Sequence, residues 1–290
     1  MWILLILLVL VAGVAGAGIF ALRQAARLPD NAPARFLAEG QRRPGARVVV
    51  CLGASITHGR VSENWVDLLG ARLGPGLQFV NAGVNGDLAY NARLRLPDVI
   101  ACEPDMVVVL VGSNDAMASS DPKLEARYRR LKGLPVTPTK AWYRENMEAI
   151  VSELKQRTKA KIALCSLPML GDVPESEANR KVREFNEVLR EVAERHQAAY
   201  VPVNEELTRL LQQERGAGGR PFDFTNGPML KAVLQRYLLG MDWDRIAAAN
   251  GYLFNTDGIH LSRRAGEIVA RLVEEAIVRE LPAASGGTAP

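Results

Sequence analysis

The sequence predicts a three-layer α/β domain built on a parallel sheet and preceded by an apolar N-terminal helix. Two observations carry the sheet. The runs 48–52, 106–111 and 162–165 are continuously apolar, without the polar alternation of a half-exposed strand, so they suit strands buried on both faces. Helical patterns separate them: within 176–195, Val182, Phe185, Leu189 and Val192 recur at steps of three and four and mark one buried face. Residues 77–81 and 200–203 are weaker strand candidates. Ser262 is placed to cap a last helix whose Ile268, Val269, Leu272, Val273 and Ile277 face inward. Strands alternating with helices imply right-handed crossovers, with ligands held beyond the carboxyl ends of the strands.

The third observation concerns the N-terminus. Residues 1–22 carry no charged side chain, and Arg23 is the first. Such a run can cross a bilayer core of about 30 Å as a helix, so a single transmembrane anchor is expected, with the membrane as a partner. A cleaved signal peptide ending near Ala15-Gly16-Ala17 is the alternative, although the usual positive n-region is missing. The arginines that follow point to the cytoplasmic face, the extracytoplasmic side being the alternative. Residues 23–46, with Pro29, Pro33, Pro44, Gly40 and Gly45, read as a basic tether, and 47–281 as the domain. A helical insertion covers about 205–256, and 282–290 read as a flexible tail.

Composition narrows the function. With 48% hydrophobic and 23% charged residues among 290, the chain is an ordinary globular protein. Residues 1–60 hold seven arginines against Asp30 and Glu39, so the formal +4 belongs to the N-terminal segment and the rest is near neutral. That distribution argues against a nucleic-acid partner. Cys51, Cys102 and Cys165 have no metal-like spacing and read as small buried hydrophobes. Neither a cofactor nor a metal is expected. Nothing in the sequence sets the oligomeric state.

Four stretches carry candidate chemistry. Leu52-Gly53-Ala54-Ser55-Ile56-Thr57-His58-Gly59 follows the first apolar run, so Ser55 falls at a strand-to-helix turn where its hydroxyl projects and its N–H can face an oxyanion. Arg60-Val61 stands where a phosphate loop needs Lys-Ser/Thr, which excludes that reading. Val80-Asn81-Ala82-Gly83-Val84-Asn85-Gly86-Asp87 brings glycine backbone close to a ligand. Val111-Gly112-Ser113-Asn114-Asp115 ends the third strand, where an Asn amide is a neutral oxyanion donor. In Asp257-Gly258-Ile259-His260, a carboxylate three residues before an imidazole can hold one ring nitrogen and leave the other to take a serine proton. Each stretch alone is a weak signal; the four in this order are a strong one.

Gly53-Ala54-Ser55-Ile56-Thr57, Asn85-Gly86-Asp87, Gly112-Ser113-Asn114-Asp115 and Asp257-Gly258-Ile259-His260 resemble the sequence blocks of the SGNH (GDSL-like) hydrolase superfamily, over about residues 46–280. The resemblance implies a flavodoxin-like sheet and metal-free hydrolysis of an ester or thioester. It also implies a Ser55–His260–Asp257 triad and an oxyanion hole from the Ser55 N–H, the Gly86 N–H and the Asn114 side chain. Ala54 departs from the Asp that commonly precedes the family's serine, which bears on local geometry and substrate. Gly83 is the nearest competitor to Gly86.

His58, Asp115, Met229, Val233 and Tyr237 are further candidates to line a substrate site. His196 reads as a helix C-terminal residue instead. The apolar stripe Met229, Leu230, Val233, Leu234, Tyr237, Leu238, Met241 packs on the body or caps Ser55. Residues 119–139 form another excursion that could edge the entrance. A lipid-like acyl ester is the expected substrate. Carbohydrate O-deacetylation on the same groups and a non-catalytic, membrane-tethered binding protein are the alternatives.

Overall fold

A computed structural model describes residues 2–40, 42–215, 219–225 and 227–281. The tail at 282–290 lies outside the described residues. In chain order the elements are α1 (Trp2–Ala26), α2 (Pro33–Ala38), β1 (Arg47–Gly53), α3 (Ser55–His58), α4 (Trp65–Leu73) and β2 (Leu77–Gly83). There follow α5 (Ala89–Leu94), α6 (Leu96–Ala101), β3 (Met106–Leu110), α7 (Ser113–Ala118), α8 (Pro122–Lys132), α9 (Lys140–Arg157) and β4 (Lys161–Cys165). The chain continues through α10 (Glu177–Arg195), β5 (Ala199–Val201), α11 (Val203–Arg215), α12 (Gly227–Tyr237), α13 (Trp243–Ala249) and α14 (Arg263–Glu280).

The five strands are all parallel, in the order β2-β1-β3-β4-β5, which is the flavodoxin-like arrangement. β1, β3 and β4 fall on the three apolar runs, because a strand covered on both faces needs apolar side chains at odd and even positions alike, while β2 and β5 fall on the two weaker candidates. Along β1, Val48, Val50 and Leu52 enter one core with Leu96 and Val99 of α6, Met147 and Ile150 of α9, and Val182 and Phe185 of α10. Val49 and Cys51 enter the other, with Trp65 and Leu69 of α4, Leu207 and Leu211 of α11, and Val269 and Val273 of α14. These two cores are the interfaces of the three layers.

Helix ends follow local chemistry. Ser176 Oγ accepts from the Asn179 N–H at the start of α10, and Ser262 Oγ from the Ala265 N–H at the start of α14, both at 3.2 Å. Asp121 accepts from the Lys123 and Leu124 N–H groups at 2.8 Å, Pro122 occupies the first turn of α8, and left-handed Gly133 ends it.

The expected transmembrane helix is corrected. Among the described residues, no helix is long and apolar enough to cross a membrane. The last turns of α1 are instead part of the globular body. Ala21 and Ala25 are buried with Val61 and Val233, and the Ala25 carbonyl accepts a hydrogen bond from Asn85 at 2.8 Å. Ala21 and Ala25 are thereby given to protein contacts, and a membrane partnership through this helix is not supported.

Candidate active site

In an order 2-1-3-4-5 the crossovers leaving β1 and β3 go to opposite sides, which opens a crevice at the carboxyl ends of these two strands. Ser55 follows β1 through Ala54, and Asn114 follows β3 through Gly112 and Ser113. Two glycines let the chain turn so tightly. A Cβ on Gly53 would lie 2.1 Å from Thr57 Oγ1, and one on Gly83 would lie 2.2 Å from the His58 backbone nitrogen. The short helix α3 therefore rests directly on the end of β2. Asn81 secures it there, donating to the Thr57 carbonyl at 2.7 Å and accepting from the Gly83 N–H at 3.0 Å.

The loop before α14 brings His260 to Ser55. Nε2 of His260 lies 2.8 Å from Ser55 Oγ, and Nδ1 lies 2.7 Å from Asp257 Oδ2. The other carboxylate oxygen, Oδ1, accepts from the Ile259 and His260 N–H groups at 3.0 and 2.9 Å. All three side chains are buried. Burial pushes the Asp257 carboxyl up, but the charge and hydrogen bonds of His260, helped by the two amides, outweigh it and hold the group below the usual carboxylate value. An ionised Asp257 accepting from Nδ1–H leaves Nε2 as the acceptor for a serine proton.

Asn114 sits across the crevice. Its Nδ2 donates one proton to the Asp87 carbonyl at 2.8 Å, and its Oδ1 accepts from the Tyr128 hydroxyl at 2.7 Å. Those two partners set the orientation of the amide, since a carbonyl oxygen can only accept. Its second Nδ2 proton is left for the site. Gly86 is in the left-handed region, with φ +74°, at the tip of the turn between β2 and α5. That turn is held by charge. Buried Asp87 pairs with Arg95 at 2.9 Å and Lys132 at 2.8 Å, while Arg95 also donates to the Ala82 and Gly53 carbonyls at 3.0 and 3.2 Å. One guanidinium thus ties the ends of β1 and β2 to the glycine turn.

Ser55, Gly86, Asn114 and His260 all face a cavity of about 330 Å³, at the small end of the range for ligand pockets. Its walls are mainly apolar, with Leu22 and Ala25 of α1, Leu124 and Leu131 of α8, and Met229 and Val233 of α12, although Arg127 and Lys132 of α8 also reach the lining. The stretch after Asn114 and the stripe on 227–237 both edge the opening. Of the other candidates, His58 is buried within α3 and is not on the wall; burial, then Arg60 and His260, lower its pKa to about 4, so it is neutral at pH 7. Asp115 is also off the wall and accepts the Ala89 N–H at the start of α5; burial above all raises its pKa to about 8. Tyr237 donates to the Arg60 carbonyl at 2.6 Å and secures α12 instead. Gly83 is taken up by packing under α3, not by the cavity. Among the described residues, no group of three or more His, Cys, Asp or Glu is arranged to hold a metal ion.

Sequence reasoning missed Tyr128, Lys132, Arg95 and Asn81. The last lies inside one of the quoted stretches, and its buried polar side chain in a strand was the signal available. The other three are surface-type residues, Tyr128 and Lys132 on α8 and Arg95 between α5 and α6, with no local mark of their role.

Residues 51–264 match the GDSL-like Lipase/Acylhydrolase family. An acetylxylan esterase of Geobacillus stearothermophilus is 25% identical over 177 residues, covering 59% of this chain and 75% of that protein. A Bacillus subtilis (strain 168) protein named uncharacterized lipoprotein YqeF is 25% identical over 144 residues, covering 47% of this chain and about half, 54%, of its own length. Among solved structures, an acetylxylan esterase from Geobacillus stearothermophilus superposes with a TM-score of 0.54 at 19% identity, covering 82% of this chain and 96% of that one. An alpha/beta hydrolase enzyme from the metagenome of Lake Arreo, Spain, gives 0.56 at 20% identity, covering 80% and 94%. These structural likenesses bear on the fold. The match begins within β1 and runs over every block of the site, so this chain belongs to the GDSL-like lipase/acylhydrolase family of serine carboxylic ester hydrolases.

Proposed function

We propose that the protein hydrolyses carboxylic esters of apolar acyl groups, with Ser55 as nucleophile. The reading rests on one observation above all: His260 lies between Ser55 Oγ at 2.8 Å and Asp257 at 2.7 Å. His260 takes the hydroxyl proton as Oγ attacks the acyl carbonyl, and Asp257 holds the imidazole and stabilises its charged form. The tetrahedral oxyanion is met by the Ser55 and Gly86 N–H groups and the second Nδ2 proton of Asn114. His260 then gives its proton to the leaving alcohol, and an acyl-enzyme remains. Water, deprotonated by the same imidazole, releases the acid and restores Ser55.

The apolar walls support a lipid-like or otherwise apolar acyl ester, because a buried apolar chain gains by leaving water and a sugar hydroxyl does not. The second reading, carbohydrate O-deacetylation, is supported by the similarity to an acetylxylan esterase. Hydrolysis of p-nitrophenyl acetate and octanoate, beside acetate release from acetylated xylan, separates the two. Preference for the octanoyl ester supports the first reading; acetate release with no gain from chain length supports the second. Ser55→Ala is expected to remove nearly all turnover, and unchanged turnover in the folded variant would overturn both.

A further inference from the structure

The carboxyl end of α1 reaches the site from outside the sheet. Leu22, Ala25 and Ala26 line the same cavity as Ser55, Asn114 and His260. Ala25 is buried beside Val61 and Val233, so this end of α1 is held against α12. Its Ala25 carbonyl also accepts from Asn85 Nδ2 at 2.8 Å, and Asn85 immediately precedes Gly86. Lys132 Nζ donates to the Asn85 carbonyl at 2.5 Å from the far side. The wall and the glycine turn are therefore fastened to each other, and α8 closes the cavity opposite through Leu124 and Leu131.

We infer that α1 is a specificity element of the Ser55 site: Leu22 and Ala25 form the wall against which an acyl chain of several carbons lies. The inference rests on the hydrolase reading and names the substrate class it serves, medium-length straight-chain acyl esters. Ala25 is, with Ala26, a small residue on this wall, and its size leaves the space that the chain occupies. A larger side chain there takes that space away from the acyl group while leaving Ser55, His260 and Asp257 in place. One methylene more or less in a hydrophobic pocket changes discrimination by about 10- to 200-fold, so chain length is a sensitive reporter of such a wall.

The test uses the full chain and p-nitrophenyl acetate and octanoate. In Ala25→Leu, the octanoyl-to-acetyl ratio of kcat/KM is expected to fall at least tenfold; an unchanged ratio overturns the inference. Leu22→Cys supplies a measurement that does not need turnover or a bulky core change. Cys51, Cys102 and Cys165 are buried, whereas position 22 is half exposed, so a maleimide reports the new thiol selectively. After phosphonylation of Ser55, an octylphosphonate is expected to slow that labelling at least tenfold relative to a methylphosphonate. Equal rates with the two phosphonates overturn the wall alone. Failure of either phosphonate to add its mass at Ser55 in the folded protein overturns the hydrolase reading, and this inference with it.

Discussion

The Tyr128 hydroxyl donates to Asn114 Oδ1 at 2.7 Å, fourteen residues along the chain, while Nδ2 of the same amide donates to the Asp87 carbonyl at 2.8 Å. The side chain proposed as oxyanion donor is thus held at both ends before any substrate arrives. Preorganised donors of this kind act without reorganisation during the reaction. Asn114→Ala is expected to lower kcat by about 10²–10³-fold. Tyr128→Phe leaves the amide in place but frees one end. It should lower kcat by a smaller factor with little change in KM, measured with p-nitrophenyl acetate; an effect on KM alone would contradict the positioning.

Asp257→Asn keeps the size of the side chain but removes the charge that opposes burial. An amide can donate to Nδ1, which favours the imidazole tautomer with its proton on Nε2, facing Ser55. Turnover at neutral pH is expected to fall by about 10⁴-fold. Intact folding, checked by circular dichroism, would keep the loss assigned to the imidazole.

Asp115 makes stability depend on pH. Its folded pKa, about 8, is raised by burial above the ordinary carboxyl value of 3.8, so between these two pH values the folded chain holds a proton that the unfolded chain has released. The contribution is fully present below pH 3.8 and is lost as pH rises towards 8. One proton corresponds to a slope of at most about 1.4 kcal/mol per pH unit. Asp115→Asn can still accept from the Ala89 N–H but does not titrate. Urea midpoints at pH 5 and pH 8 should therefore fall more in the natural protein than in the variant. Equal falls would show that Asp115 does not titrate in this window.

Gly83→Ala places a methyl group where the His58 backbone nitrogen would be 2.2 Å away and the Thr57 carbonyl carbon 2.7 Å away. Backbone, not a flexible side-chain end, must move, and it is the backbone of the helix that begins at Ser55. A destabilisation of about 1–3 kcal/mol is expected from the overpacking, together with a drop in kcat. A variant with full activity and an unchanged melting temperature would mean that α3 moves freely on β2.

What the sequence determined was whatever leaves a local mark. Strands buried on both faces must be apolar at every position, so β1 and β3 could be read as continuous runs. The ends of those strands must turn sharply beside a ligand, so Gly53-Ala54-Ser55 and Gly112-Ser113-Asn114 stood out as motifs. Asp257 and His260 are three residues apart, and their hydrogen bond is within reach of a single loop. What only the tertiary structure decided were pairings between distant segments. Arg95, Tyr128 and Lys132 resemble ordinary surface residues until Asp87, Asn114 and Asn85 are brought beside them. The end of α1 is the sharpest case. Small and apolar side chains such as Ala21, Leu22 and Ala25 suit lipid and protein interior equally, because both remove them from water. Composition cannot separate the two environments, and only the contacts of Ala21 and Ala25 to Val61, Val233 and Asn85 put the carboxyl end of α1 on the wall of the Ser55 cavity.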